Sequence, residues 1–250
     1  MTLFVIVIIG FIIYLIIKSK LPKQTNRREP IYPTYLSDPK MRHPHRDKAV
    51  QEIKDWLEGI ELTDVIVFDT ETNGLYPEES SLLSIGAIRY SWDPYEKLKE
   101  KARFERCYYP KEPFNERAIM VNGLTKEKIA ELRGDATYPE HFLDDYLSFK
   151  EFCEGSRLIA GHNVSFDVGF VPFLKNRRKL DTMKSNADVV CVEWMDSKED
   201  WKWPSLEETA RFYGVPFNED DAHGALYDAM IAGEILKRML DRAGVMVQIV

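Results

Sequence analysis

The hydrophobic and polar positions divide this chain into three stretches. From Leu3 to Ile17 the run is apolar apart from Tyr14, and the first charged side chain is Lys18. As a helix, residues 1–17 reach about 26 Å, just short of a ~30 Å hydrocarbon layer. Lys18, Lys20 and Lys23 can snorkel across the remainder. No basic residue precedes the run and no small-x-small step follows it, so an anchor fits better than a cleaved signal peptide. The pattern therefore predicts a single transmembrane helix over residues 1–18. Its lysines lie on the C-terminal side, which puts the body of the chain on the cytoplasmic side. Residues 19–48 carry Pro22, Pro30, Pro33, Pro39 and Pro44 among many charges and little apolar periodicity. They read as a basic, Pro-rich linker suited to lie along anionic lipid headgroups.

Residues 49–250 predict one layered α/β domain. Val50, Ile53, Trp56 and Leu57 recur at helical spacing in Ala49–Leu57. Val65–Phe68 and Arg157–Gly161 contain brief apolar runs typical of buried strands, and Leu82–Tyr90 and Phe104–Tyr109 read as further strands. Helical spacing returns in Ser165–Leu174, where Phe166, Phe170 and Phe173 recur. In the last helix Ala225, Ala229, Ala232 and Gly233 permit close packing, and Leu226, Met230, Leu236 and Leu240 supply bulk. Ser205-x-x-Glu208 beside Pro204 is a capping box at another helix start.

Charge sharpens this division. Nine Lys/Arg against three acids give residues 18–50 a surplus of six, which leaves −13 for residues 51–250 out of a whole-chain −7. So acidic a domain is no natural grip for a long duplex, whose affinity comes chiefly from Lys and Arg. Lys175–Lys179 is its one compact basic cluster, either a guide for a strand or a solvated helix end. The three cysteines lack Cys-x-x-Cys spacing, which argues against disulfides and zinc.

The candidate chemistry lies in three short motifs. Asp69 and Glu71 end the apolar strand Val65–Phe68 two residues apart, so alternation turns both to one face. Asp167 follows His162-Asn-Val-Ser-Phe, where it could instead cap a helix; His162 reads as a hydrogen-bonded structural residue. His223 stands in a turn just before the last helix, and Asp228 lies inside that helix. Four carboxylates sharing a site raise one another's pKa unless cations neutralise them. Hard oxygen donors suit Mg²⁺ or Mn²⁺, and two such ions can clamp the oxygens of a phosphoryl displacement. A histidine beside them adds a base that titrates near neutral pH.

Taken together, the three motifs resemble those of the DEDDh exonucleases, the DnaQ-like family that includes the proofreading subunit of bacterial DNA polymerase III, RNase T and TREX enzymes. Ala118–Thr125 and Ser205–Gly214 resemble further segments of that family, so the likeness runs from about residue 62 to 242. It implies an RNase H-like fold, a mixed five-stranded sheet flanked by helices. It also implies that Asp69, Glu71, Asp167 and Asp228 hold two Mg²⁺ or Mn²⁺ ions and that His223 deprotonates the attacking water. Thr72, Asn73, Gly74 and Leu75 would line the pocket for the terminal nucleotide, and Phe166 is a candidate for packing on base or sugar, with a core role as its alternative. The implied activity is 3′–5′ removal of nucleoside 5′-monophosphates from single-stranded DNA or RNA 3′ ends. A catalytically silent nucleic-acid-binding module and a phosphodiesterase acting on short RNA oligomers are the rivals. The family often carries Asp-Thr in the strand after the second motif, and that strand is expected at Asp188–Trp194, with valine in the threonine's place. Trp201-Lys-Trp203 nearby offers aromatic rings beside a lysine, for stacking bases or for packing over a loop.

Overall fold

The structure, a computed structural model, describes residues 48–59 and 62–247. The expected membrane helix over 1–18 and all but the last residue of the linker over 19–48 lie outside the described residues. Among the described residues no helix is long and apolar enough to cross a membrane. The chain enters through α1 (Lys48–Leu57) and then lays down β1 (Val65–Thr72), β2 (Leu82–Asp93) and β3 (Lys97–Cys107). Helices α2 (Glu116–Asn122), α3 (Lys126–Arg133) and α4 (Phe142–Phe152) lead to β4 (Leu158–Gly161). Next come α5 (Val164–Phe170), β5 (Arg178–Asp181), the short α6 (Ala187–Val190) and a hairpin of β6 (Trp194–Met195) and β7 (Asp200–Trp201). Helices α7 (Leu206–Tyr213) and α8 (Ala225–Arg242) complete the order.

The five-stranded sheet has the order β3-β2-β1-β4-β5. The first three strands run antiparallel as a meander, and β4 and β5 run parallel to β1. This is the mixed five-stranded sheet that the family resemblance implies. Alternation along β1 sorts the core into two layers. Val65 and Val67 pack with α1, α7 and α8, whereas Ile66 and Phe68 pack with α4 and α5. A strand buried on both faces has no polar position to spare until it leaves the core, so its C-terminal end is where chemistry can sit.

Three expectations change. The strand after the second motif is β5, at 178–181, and residues 187–190 form a short helix instead. β5 is an edge strand with only Leu180 buried, so it lacks the apolar signature that Val189-Val190 carries. The Asp-Thr pair is therefore present, as Asp181-Thr182. The helix over 165–174 stops at Phe170, because Pro172 opens a separate 3₁₀ turn. Lys175–Lys179 ends no long helix: Lys175 caps that 3₁₀ turn, and the cluster leads into β5, where Arg178 donates to the carbonyl of Asp55 at 3.1 Å and ties down the end of α1. The capping box forms as expected, with Ser205 and Glu208 reciprocally bonded.

Candidate metal centre and substrate cleft

Asp69 and Glu71 project from β1 on the side covered by α8. That helix can begin beside them because β2 has a glycine there. Gly86 stands opposite Asp69 in the antiparallel ladder. A Cβ on it would lie 2.1 Å from the backbone N of Leu226 and 2.3 Å from the carbonyl carbon of Ala225. Only a residue without a side chain lets the first turn of α8 rest on the strand. That turn holds Asp228, and His223 precedes it in the left-handed conformation with φ 65°.

Asp167 arrives from the other layer. Helix α5 starts after Asn163, which is itself left-handed at φ 69°. The Asp181 carboxylate accepts the Asn163 N–H at 3.0 Å and those of Met183 and Lys184 at 3.1 and 3.2 Å, fixing that start. Asp167 does not cap the helix. It is buried, and its Oδ1 accepts from the Thr70 N–H at 3.0 Å and the Thr70 hydroxyl at 2.7 Å. The second motif is thus bonded to the residue between Asp69 and Glu71, and the two layers meet at the end of β1.

The electrostatics follow from this crowding. Glu71, His223 and Asp228 each offer a ligand atom, and these atoms lie within 4.8 Å of one another. Burial first, then the charges of Asp167, Glu71 and Asp228, push the Asp69 carboxyl well above its ordinary range. Burial and the charges of Asp228 and Asp167 raise Glu71 to about 8, against a hydrogen bond from Asn122. Asp167 rises to about 7 because burial outweighs its bonds from Thr70. Asp228 rises to about 6 through burial, with His223 opposing. Its Oδ1 is buried with no hydrogen-bond partner. An orphaned carboxylate oxygen among mutually repelling carboxylates fits bound divalent cations, and an oxygen-rich donor set fits Mg²⁺ or Mn²⁺.

A cavity of about 510 Å³ opens beside Glu71, lined among others by Thr72, Gly74, Leu75, Val121, Arg117 and Phe166. Asn73 is turned the other way. It is buried, donates to Glu112 at 2.8 Å and the Pro113 carbonyl at 2.9 Å, and accepts the Asn115 N–H at 2.9 Å. Its part is to hold the pocket's two walls together. Phe166 lines the cavity and packs on Phe170 with centroids 5.3 Å apart. His162 is structural as expected. Nε2 donates to the Pro204 carbonyl at 3.0 Å, Nδ1 lies 3.1 Å from the Thr182 hydroxyl, and burial lowers its pKa to about 4.

Gly86, Asn122 and Asp181 also build the site and are not evident from the motifs. A lone glycine inside an apolar strand is a signal of close backbone approach, and Gly86 carried it. Asn122, which donates to the Thr72 carbonyl at 3.1 Å as well as to Glu71, lay inside a segment noted only for its likeness. Asp181 was hidden by the misplaced strand.

Comparison with known proteins agrees with this geometry. Residues 66–236 match the RNase T family model, described as Exonuclease. The epsilon subunit of DNA polymerase III from Pasteurella multocida is 26% identical over 184 residues, covering 70% of this chain and 67% of that protein. The PolC-type DNA polymerase III of Caldanaerobacter subterraneus subsp. tengcongensis is 29% identical over 190 residues, 74% of this chain but 12% of that protein. This chain thus spans about a tenth of the PolC-type relatives, 11% for that of Ureaplasma parvum. Among solved structures, exonuclease X in complex with 5′ overhanging duplex DNA superposes with a TM-score of 0.52 at 19% identity, covering 73% of this chain and 94% of that one. E. coli exonuclease I in complex with a 5cy-dT13 oligonucleotide gives a TM-score of 0.52 at 15% identity, covering 73% of this chain and 41% of that one. These superpositions establish the RNase H-like fold.

Proposed function

The chain belongs to the DnaQ-like, RNase T exonuclease family, and from that membership we propose that it is a metal-dependent 3′–5′ exonuclease releasing nucleoside 5′-monophosphates from DNA or RNA 3′ ends. Asp69, Glu71, Asp167 and Asp228 hold two Mg²⁺ or Mn²⁺ ions. When bound, these ions supply charge for the attacking and leaving oxygens of the displacement. His223, exposed in its turn beside Glu71 and Asp228, takes the proton of the attacking water. The cavity at Thr72, Gly74 and Leu75 receives the terminal nucleotide, with Phe166 against its base or sugar. Asn122 holds Glu71 toward the centre. The observation that carries this reading is the unpartnered Oδ1 of Asp228 within a cluster that also contains Glu71 and His223.

The apolar run Leu3–Ile17 followed by lysines supports a second element of the proposal, a single-pass membrane anchor with the enzyme on the cytoplasmic side. Deleting residues 1–20 is expected to release the protein from membranes; a deletion form that still sediments with them removes the anchor.

The activity is tested with 5′-labelled single-stranded DNA and RNA of one sequence, in Mg²⁺, Mn²⁺ or EDTA. A ladder shortening from the 3′ end, absent in EDTA and in Asp167→Ala, is expected. Binding without cleavage would favour the silent module instead.

A further inference from the structure

Trp203 stands apart from the other tryptophans of the domain. Trp56 and Trp201 are 4% and 9% exposed, and Trp92 donates its indole N–H to the Thr63 carbonyl at 2.9 Å. Trp203, by contrast, is 53% exposed, and Trp194 on the same hairpin segment is 41% exposed. The Trp194 ring leans edge-on against Trp201 at 5.3 Å, so the buried ring props the exposed one.

The place of Trp203 matters more than its exposure. Its neighbour Pro204 accepts the Nε2–H of His162 at 3.0 Å. Asp181, the last residue of β5, ion-pairs with Lys184 at 3.5 Å and accepts the N–H of Asn163 at the start of the helix that carries Asp167. Lys184, just beyond β5, places its ammonium 5.2 Å from the Trp203 ring centroid. Trp203 therefore sits over the C-terminal ends of β4 and β5, on the end of the sheet that carries the carboxylates.

Charge decides what such a surface can hold. Glu193, Asp196, Glu199 and Asp200 surround the hairpin against Lys198 and Lys202, within a domain of net −13 out of the whole-chain −7. Phosphates find little to grip there. The face of a nucleobase is uncharged and stacks on indole whatever its sequence. We propose that Trp203, with Trp194 as a second ring, is a stacking platform for unpaired bases upstream of the scissile bond, which makes single-stranded ends the preferred substrate. This rests on the exonuclease reading above. A duplex gains nothing from the platform, because its bases are already stacked.

The test compares full-length wild type, Trp203→Ala and Trp203→Phe on a single-stranded 20-mer, on a dinucleotide, and on a blunt duplex with the same 3′ sequence. Trp203→Ala is expected to raise KM for the 20-mer by about fivefold to a hundredfold, the worth of one base–aromatic stack. Its kcat, and its KM for the dinucleotide and duplex, should stay within twofold or so of wild type, and Trp203→Phe should recover most of the loss. An unchanged KM for the 20-mer overturns the platform; so does an equal loss on all three substrates, which marks a structural defect. Anisotropy of a labelled single strand in EDTA reads binding without turnover. A wild type that binds through Trp203 yet never cleaves refutes the exonuclease while keeping the platform.

Discussion

Replacing Asp228 by Asn should make the metal-free protein more stable while abolishing its activity. The side chain keeps its shape and loses only its charge. In the fold that charge is half-buried, its Oδ1 meets no donor, and Glu71 faces it. Carrying the carboxyl from its ordinary 3.8 to about 6 costs the folded state about 3 kcal/mol once the pH is well above 6. The sign follows from the raised value. Below about pH 4 the group is protonated in both folded and unfolded chains and no penalty exists; stability is lost as the pH rises through about 6. Asn escapes that loss, so in EDTA at about pH 8 its Tm should exceed that of wild type by roughly 6–12 °C for a domain of this size. Near pH 4, at the carboxyl's ordinary value, most of that difference should be gone. Mg²⁺ should then reverse the order, since wild type gains stability by binding it and the variant gains little. Calorimetry at both pH values, with EDTA and with Mg²⁺, reads all of this. A variant no more stable than wild type at pH 8 in EDTA would mean that crowding and burial do not govern this carboxylate, and the argument for cations would lose its footing.

Two other residues give separate tests. Gly86→Ala puts a methyl group on the backbone of Leu226 and should push the start of α8 outward; kcat is expected to fall by about a hundredfold or more, as for a misplaced catalytic group, and wild-type turnover in this variant would refute the packing argument. His162, neutral in the fold down to about pH 4 against an ordinary 6.5, protonates first in the unfolded chain. It therefore contributes stability that is held above pH 6.5 and lost as the pH falls toward 4, about 3 kcal/mol in all. His162→Gln should lack that part of the acid sensitivity in urea unfolding followed across this range.

The legibility of this protein in its sequence tracks the difference between local and tertiary signals. β1 was readable because burial on both faces demands an unbroken apolar run, and Asp69 and Glu71 stood out by ending it. The capping box at Ser205 was readable because its two bonds are local. β5 was not, because an edge strand covered on little more than one side chain has no apolar pattern to show, and the Val189-Val190 run drew the assignment to a place where the chain makes a single helical turn. Asp167 was found as a residue but its partner was not: nothing local to it says that Thr70, 97 positions away, donates both its N–H and its hydroxyl. Asn73 shows the opposite error, since its neighbours line the cleft and its own side chain is spent holding the cleft's walls.

The same division explains how the site is built. Asp69 and Glu71 face one layer, Asp167 comes from the other, and both layers must close on the end of β1 before any cation can be held. Left-handed backbone at Asn163 and His223, and the glycine at 86, are the local conditions for that closure. Non-glycine residues held at positive φ cost of order a kcal/mol or more each and persist only when their surroundings over-determine them. For Asn163 the surroundings are visible, in the Asp181 carboxylate that takes its N–H. His223 is held by the turn before α8 and by a backbone hydrogen bond to the Asp228 carboxylate, and it also faces Glu71. Its geometry therefore depends most on what those carboxylates bind, and cation binding should order the histidine turn more than any other part of the site.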